Sequence, residues 1–267
     1  MANANLAKPR GILNPGMGET KFQLSRHAPA TDLGFFVECY WLVQWDLRGQ
    51  EPYLQENIPH PCVHLVFDAG KTAIFGVVKK RFSYLLRDKG HVLGIKFRPG
   101  GFYTFAQIPV SNFTDRVCPI GEIFDVNAGA LEAEILGQAD EGKRVALAET
   151  FLRAHLPERD ETIVQINRIV DCIIDDRTLT KVENLVDRFN LSKRALQRLF
   201  SQYIGVGPKW VIQRYRLHEA AEQLAAGAEF DWPQMAIELG YTDQAHFIKD
   251  FKSMVGKTPA DYARNIG

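Results

Sequence analysis

The feature that most constrains this chain is a helical unit that occurs twice in its last third. SKRALQRLFSQYIGVGP and DQAHFIKDFKSMVGKTP end alike: Phe200, Gly205 and Pro208 are answered by Phe251, Gly256 and Pro259, each pair 51 residues apart. Each copy follows a shorter amphipathic segment. Val182, Leu185, Val186 and Phe189 fall at i, i+3, i+4 and i+7, and Trp232, Met235, Ala236 and Leu239 repeat that spacing, the pattern of a helix with one apolar face. Thr180 and Glu183 have the separation of a capping box, and Asp231 and Gln234 form a second such pair around Pro233. Asn190 and Gly240, residues that tolerate a left-handed turn, separate the short helices from the long ones. The sequence therefore predicts helix, tight turn, helix, made twice.

The outward faces of the long helices carry the chemistry. After a Ser192 cap, Ala195, Leu196, Leu199, Phe200 and Tyr203 share one side, which leaves Arg194, Gln197, Arg198 and Ser201 on the other. These four are polar and none is acidic. Arg can fork to guanine O6 and N7, Gln to adenine N6 and N7, and a helix fits the major groove of a duplex. A solvated basic face explains one such stripe equally well; its recurrence in a second unit favours a pair of DNA-reading helices. Between the copies, PKWVIQRYRLHEAAEQLAAG reads as a continuous helix from Pro208 to a stop at Gly227. Its length, roughly 28 Å at about 1.5 Å per residue, is close to the ~34 Å between successive major-groove faces.

With SKRALQRLF, GVGP, RLHEAAEQL, ELGYTDQAHFIKDF and GKTPADYAR in view, the stretch from about Leu179 to Arg264 resembles the AraC/XylS regulators. The resemblance implies seven helices in two helix-turn-helix subdomains, with base contacts from the third and sixth. It places Ser192, Lys193, Arg194, Gln197, Arg198 and Ser201 on one groove segment, and Gln244, Ala245, Ile248, Lys249 and Lys252 on the next. Ile248 suits a thymine methyl and Lys249 a guanine or phosphate. Val186 stands where a small Ala is usual and Asn190 where Gly is commoner. His246 aligns with the inward Ala195 and reads as a packing residue, as do Trp210 and Tyr215 on the linker helix. Residues 181–267 hold 12 Lys and Arg against 10 Asp and Glu, so the region is only mildly basic, and a homodimer would supply further binding strength.

The first part of the chain has a different texture. FVECYWLVQW, CVHLVFDA, TAIFGVV and VLGIKFRPGGF are short apolar runs broken by Gly and Pro, a strand-rich pattern to about residue 125. ALEAEIL, KRVALAETFLRAHL and TIVQINRIVDCIIDD then read as helices over about 128–175. Ile163, Ile166, Val170, Ile173 and Ile174 form one stripe, for core packing or a second subunit. The fold class is thus α+β: a strand-rich domain with flanking helices over 1–175, then an all-α domain over 176–267, with units at about 181–205 and 231–255 joined by a helix over about 208–226. YWLVQWDLRG, PHPCVHLVF, GIKFRPGGFYTF and FTDR resemble the divergent sensor modules of some AraC/XylS members, which implies a small effector or dimerisation.

For that effector, Arg10, Lys79, Lys80, Arg81 and Arg98 offer positive charge beside glycines and aromatics. They suit an anionic or nucleotide-like ligand, a cyclic dinucleotide among the candidates. Alternatively, His60, Cys62 and His64 alternate and on a strand would share a face, as a metal- or redox-responsive site needs. Cys39, Cys62, Cys118 and Cys172 are far apart and read as reduced, mostly buried thiols. GxSxG, Walker and HExxH patterns are absent, so an enzyme is not expected. A hydrophobic fraction of 46%, a charged fraction of 24% and no long apolar run point to a soluble, cytoplasmic protein whose partners are double-stranded DNA, an effector and, if it activates, RNA polymerase.

Overall fold

The computed structural model describes Leu13, residues 15–225 and residues 231–264. Arg10 and Gly227, singled out above, lie outside the described residues. Eight strands are formed: β1 (Gln23–His27), β2 (Val37–Asp46), β3 (Tyr53–Asn57), β4 (His64–Phe67), β5 (Ala73–Phe75), β6 (Phe82–Leu86), β7 (Lys89–Phe97) and β8 (Val117–Pro119). Six of them make an antiparallel sheet in the order β1-β2-β7-β4-β5-β8, and β3 pairs with β6 in a separate two-stranded sheet.

The long β2–β7 pair anchors the sheet. Trp41 lies opposite Gly94 and Trp45 opposite Gly90, and a Cβ on Gly94 would come within 2.0 Å of the Trp41 ring. Each indole therefore lies across a glycine of the neighbouring strand, filling space that a side chain would need. Each ring nitrogen also donates a hydrogen bond, Trp41 to His64 Nδ1 at 3.1 Å and Trp45 to the Arg87 carbonyl at 2.8 Å.

The helices are α1 (Pro15–Glu19), α2 (Tyr103–Ala106), α3 (Ala128–Leu136), α4 (Glu141–Ala154), α5 (Glu161–Asp175), α6 (Val182–Phe189), α7 (Lys193–Tyr203), α8 (Pro208–Ala225), α9 (Trp232–Glu238), α10 (Gln244–Val255) and α11 (Pro259–Arg264). Side chains of Asn127, Asp140 and Asp160 accept hydrogen bonds from first-turn amides of α3, α4 and α5, which satisfies donors that a helix start leaves open. At α6 the expected Thr180–Glu183 box is not formed. The cap is Lys181, whose amide donates to Asn184 Oδ1 at 3.1 Å.

On α5, Ile163, Ile166, Val170 and Ile173 are buried and Ile174 is partly buried, so the stripe is taken up inside the chain. The helix packs on both α7 and α8. Six helices, α6 to α11, follow residue 176 among the described residues, so the seven expected there are reached only by counting α5, which the sequence pattern assigns to the first domain. One buried cluster joins sheet residues such as Leu42, Phe67 and Phe97 to Ile166 and to Leu196, Phe200 and Tyr203 of α7. A second gathers Leu217, Met235, Phe247 and Phe251 together with Leu13 and Ile58 from the N-terminal part. Each helix-turn-helix unit is thus built on a core that includes residues from the first part of the chain.

Candidate nucleic-acid interface

Both units have the local geometry their sequences require. Asn190 closes α6 in the left-handed region at φ 50°, and Gly240 makes the second turn at φ 81°. Ser192 Oγ accepts the Ala195 amide at 3.1 Å and Asp243 Oδ1 accepts the His246 amide at 2.8 Å, so both long helices are capped. Leu196, Phe200 and Tyr203 point inward on α7, while Lys193, Arg194, Gln197, Arg198 and Ser201 are exposed. On α10, Phe247, Phe251 and Met254 are buried, and Ala245, Lys249 and Lys252 are exposed. Gln244 and Ile248 are half-buried, with Ile248 packed against the second core.

Ser192 uses its lone pair as a cap and keeps its hydroxyl hydrogen for a neighbour. Lys193 Nζ sits 2.7 Å from Glu183 Oε1 on α6, an exposed pair that tethers the two helices weakly. His246, which aligns with Ala195, is half-buried; it meets Tyr241 of the turn edge-on at 5.3 Å, and its Nε2 lies 3.6 Å from Asp250 on its own helix. Tyr215 is buried and Trp210 is half-buried.

The two units also touch. A Cβ on Gly240 would lie 2.5 Å from Thr180 Cβ, so the turn of the second unit rests against the entry to the first. Between them α8 runs 18 residues, about 27 Å. Of the 12 basic residues in 181–267, Arg214 and Arg216 are fully buried in α8, so the charge available to a polyanion is smaller than the composition suggests.

The candidate effector residues are not brought together as one group. Lys79 and Lys80 line a cleft between the first part of the chain and α8 and α10. Lys79 Nζ pairs with Asp115 at 3.1 Å. Arg81 pairs with Glu56 at 2.7 Å and lies against Gly256 at the end of α10. Arg98 does not line the cleft; its Nε donates to the Gly34 carbonyl at 2.7 Å. Sequence reasoning missed Arg116, Trp210 and Asp250 as neighbours of Lys79 and Lys80. They come from three separate segments, and nothing local links them.

The His60, Cys62, His64 alternation is corrected by the structure. His60 and Cys62 precede β4 and are not on a strand. His60 stacks on His218 of α8 at 4.9 Å, while His64 Nδ1 takes the Trp41 hydrogen bond. No group of three or more His, Cys, Asp or Glu able to hold a metal is found among the described residues. Burial pushes the Cys62 thiol up to about 12, which keeps it protonated and unreactive at neutral pH. The four cysteines are free.

His64 gives a pH prediction. Burial, with the Lys96 ammonium adding to it, pushes its pKa down to about 3 from 6.5. The folded value lies below the unfolded one, so the unfolded chain takes up the proton first and stability falls as pH drops from about 6.5 toward 3. Between pH 7 and pH 5 the expected loss from this residue is about 2 kcal/mol. Urea melts at the two pH values should show a drop smaller by that amount in His64→Gln; an unchanged drop would mean that the ring titrates freely.

Residues 185–265 match a family described as a helix-turn-helix domain, and residues 25–119 match a domain family of unknown function, DUF6597. An uncharacterized HTH-type transcriptional regulator of Haemophilus influenzae is 31% identical over 85 residues, which are 32% of this chain and 28% of that protein. Probable transcription factor PqrA of Proteus vulgaris is 29% identical over 85 residues, covering 32% of this chain and 69% of that protein. Among solved structures, a probable AraC family transcriptional regulator from Rhodopseudomonas palustris has 22% identity and a TM-score of 0.35, covering 40% of this chain and 98% of its own. No helix among the described residues is long and apolar enough to cross a membrane.

Proposed function

We propose, from the premise that residues 185–265 are an AraC-type helix-turn-helix domain of a DNA-binding transcriptional regulator, that α7 and α10 read neighbouring major-groove segments of one duplex. Arg194, Gln197 and Arg198 supply base-edge contacts in the first segment. Ala245, Ile248 and Lys249 supply apolar and cationic contacts in the second, with Ser192, Lys193, Ser201, Gln244 and Lys252 on flanking phosphates. The observation that carries this reading is the outward placement of Arg194, Gln197 and Arg198 on α7 and of Ala245 and Lys249 on α10, both capped helices, with the Gly240 turn of the second unit resting on Thr180 at the entry to the first.

The way the units are mounted supports control by a small effector. Each shares a buried core with the first part of the chain, so a ligand that shifts that part shifts the spacing of the reading helices. An anionic or nucleotide-like effector bound by the N-terminal part suits the cations there, and a homodimer would double the number of helices engaged.

Selection of binding sites from random duplexes by the full chain tests the reading. The expected outcome is a bipartite site whose halves lie about one helical turn apart. Binding without sequence preference at moderate salt would leave only counterion release and end the proposal.

A further inference from the structure

A feature that DNA reading does not use is the open cleft between the sheet and the second unit, about 740 Å³ in volume. One wall comes from β5, the 78–82 segment and β8; the other comes from α8 and the end of α10. Phe75, Phe82, Val117, Trp210 and Met254 form its apolar surface, and Val117 is 59% exposed there although it is a strand residue. A volume of this size lined by aromatic side chains, with Phe75 and Phe82 edge-to-face at 6.2 Å, suits a small organic molecule.

Charge narrows the class. Lys79, Lys80 and Arg116 face the cleft with Asp115 and Asp250. Asp115 is already engaged with Lys79, through the ion pair and by accepting the Lys79 amide at 2.7 Å. Asp250 lies 3.6 Å from His246. Against Asp250, Lys80 and Arg116, both exposed, leave the lining with one net positive charge. Behind Trp210, 5.5 Å from its ring, sits the Arg214 guanidinium, fully buried, with both terminal nitrogens lacking a hydrogen-bond partner among the described residues. The site therefore combines an aromatic, apolar lining with a net positive charge.

We infer that this cleft binds an organic anion, one carboxylate, sulfonate or phosphate group on a flat aromatic frame, and that the bound molecule fixes the second helix-turn-helix unit against the sheet. The anion meets Lys80 and Arg116 while the frame stacks between Trp210 and the phenylalanines. Because the two walls belong to different parts of the chain, occupancy alters where α10 stands relative to α7. The inference rests on the effector-controlled regulator proposed above and names the ligand class and its place.

Naphthalene-2-sulfonate is a suitable probe, with inorganic phosphate as the charge-only arm and 2-naphthol as the apolar-only arm. Titrated into the full chain, the sulfonate should quench Trp210 fluorescence and change affinity for the selected duplex, while each control arm binds at least about tenfold more weakly. Trp210→Phe should lose the quenching. The double variant Lys80→Glu with Arg116→Glu changes only exposed side chains; it should bind the probe about tenfold or more weakly and still bind the duplex. Failure of the wild-type chain to bind the sulfonate overturns the inference. So does a charge-reversed variant that binds it as well as wild type and still shifts DNA affinity, although that outcome leaves the regulator reading intact with its effector elsewhere. Loss of duplex preference in the unliganded wild type counts instead against the regulator reading.

Discussion

Replacing Arg194 and Arg198 together by alanine is expected to weaken binding to the preferred duplex by about 2 to 5 kcal/mol while leaving thermal stability nearly unchanged. Both side chains are exposed on α7, on the face opposite Leu196 and Phe200, so their removal opens no cavity, and alanine suits a helix interior at least as well as arginine. The loss must be larger on the preferred duplex than on random DNA, because a forked guanidinium on a guanine edge distinguishes bases whereas a phosphate contact does not. On α10, Lys249→Ala should weaken preferred and random duplexes more evenly and lower the salt slope by about one unit. Gel shifts at several salt concentrations separate the two patterns. An equal loss on both duplexes for the α7 double variant would reduce those arginines to charge alone.

The parts that sequence reasoning found and missed divide by the range of the interactions. The two units were legible because caps, turns and the i, i+3, i+4 stripe are set within about seven residues: Ser192 and Asp231 cap as expected, although the Thr180–Glu183 box gave way to Lys181. β2, β4, β5 and β7 were legible as apolar runs. β1 and β3 were not, because QLSRH and YLQEN are mostly polar and become strands only through β2 and β6. The N-terminal motifs had a use that spacing alone could not disclose. Pro59 accepts a hydrogen bond from Arg214, Tyr103 packs on Tyr203 at 4.2 Å, and Thr114 donates to the Gly205 carbonyl at 2.7 Å. PHPCV, RPGGFYTF and FTDR are the places where the first part of the chain holds the helix-turn-helix units. The effector residues were legible as cations but not as a site, since Lys80, Arg116 and Trp210 meet only after the sheet edge docks on α8.

That docking makes Arg216 the residue whose loss should cost most in stability. In the middle of α8 its guanidinium is fully buried. Nη1 donates to both Glu219 oxygens, at 2.9 and 2.8 Å, and Nη2 donates to the Ile173 carbonyl. Ile173 lies in the last turn of α5, where carbonyls have no partner within the helix and a cation is favoured by the dipole. One side chain thus closes α5, neutralises Glu219 and ties α5 to the helix that carries both reading units. Arg216→Ala removes the short fork to Glu219, which keeps Arg177 at 3.9 Å, and opens a helix end, and the expected destabilisation is about 2 to 4 kcal/mol. Arg216→Lys should recover only part of it, since an ammonium cannot make the fork. Arg214, two residues away, is the contrasting case. It makes one hydrogen bond, to the Pro59 carbonyl, both terminal nitrogens lack partners among the described residues, and burial pushes its pKa down to about 9. Replacing an unpaired buried charge by an apolar side chain of similar length relieves desolvation while losing one bond, so Arg214→Met should change stability by less than about 1 kcal/mol. Urea unfolding followed by far-ultraviolet circular dichroism compares the variants. Equal losses would mean that the α5–α8 tie is not what holds the reading units to the rest of the chain.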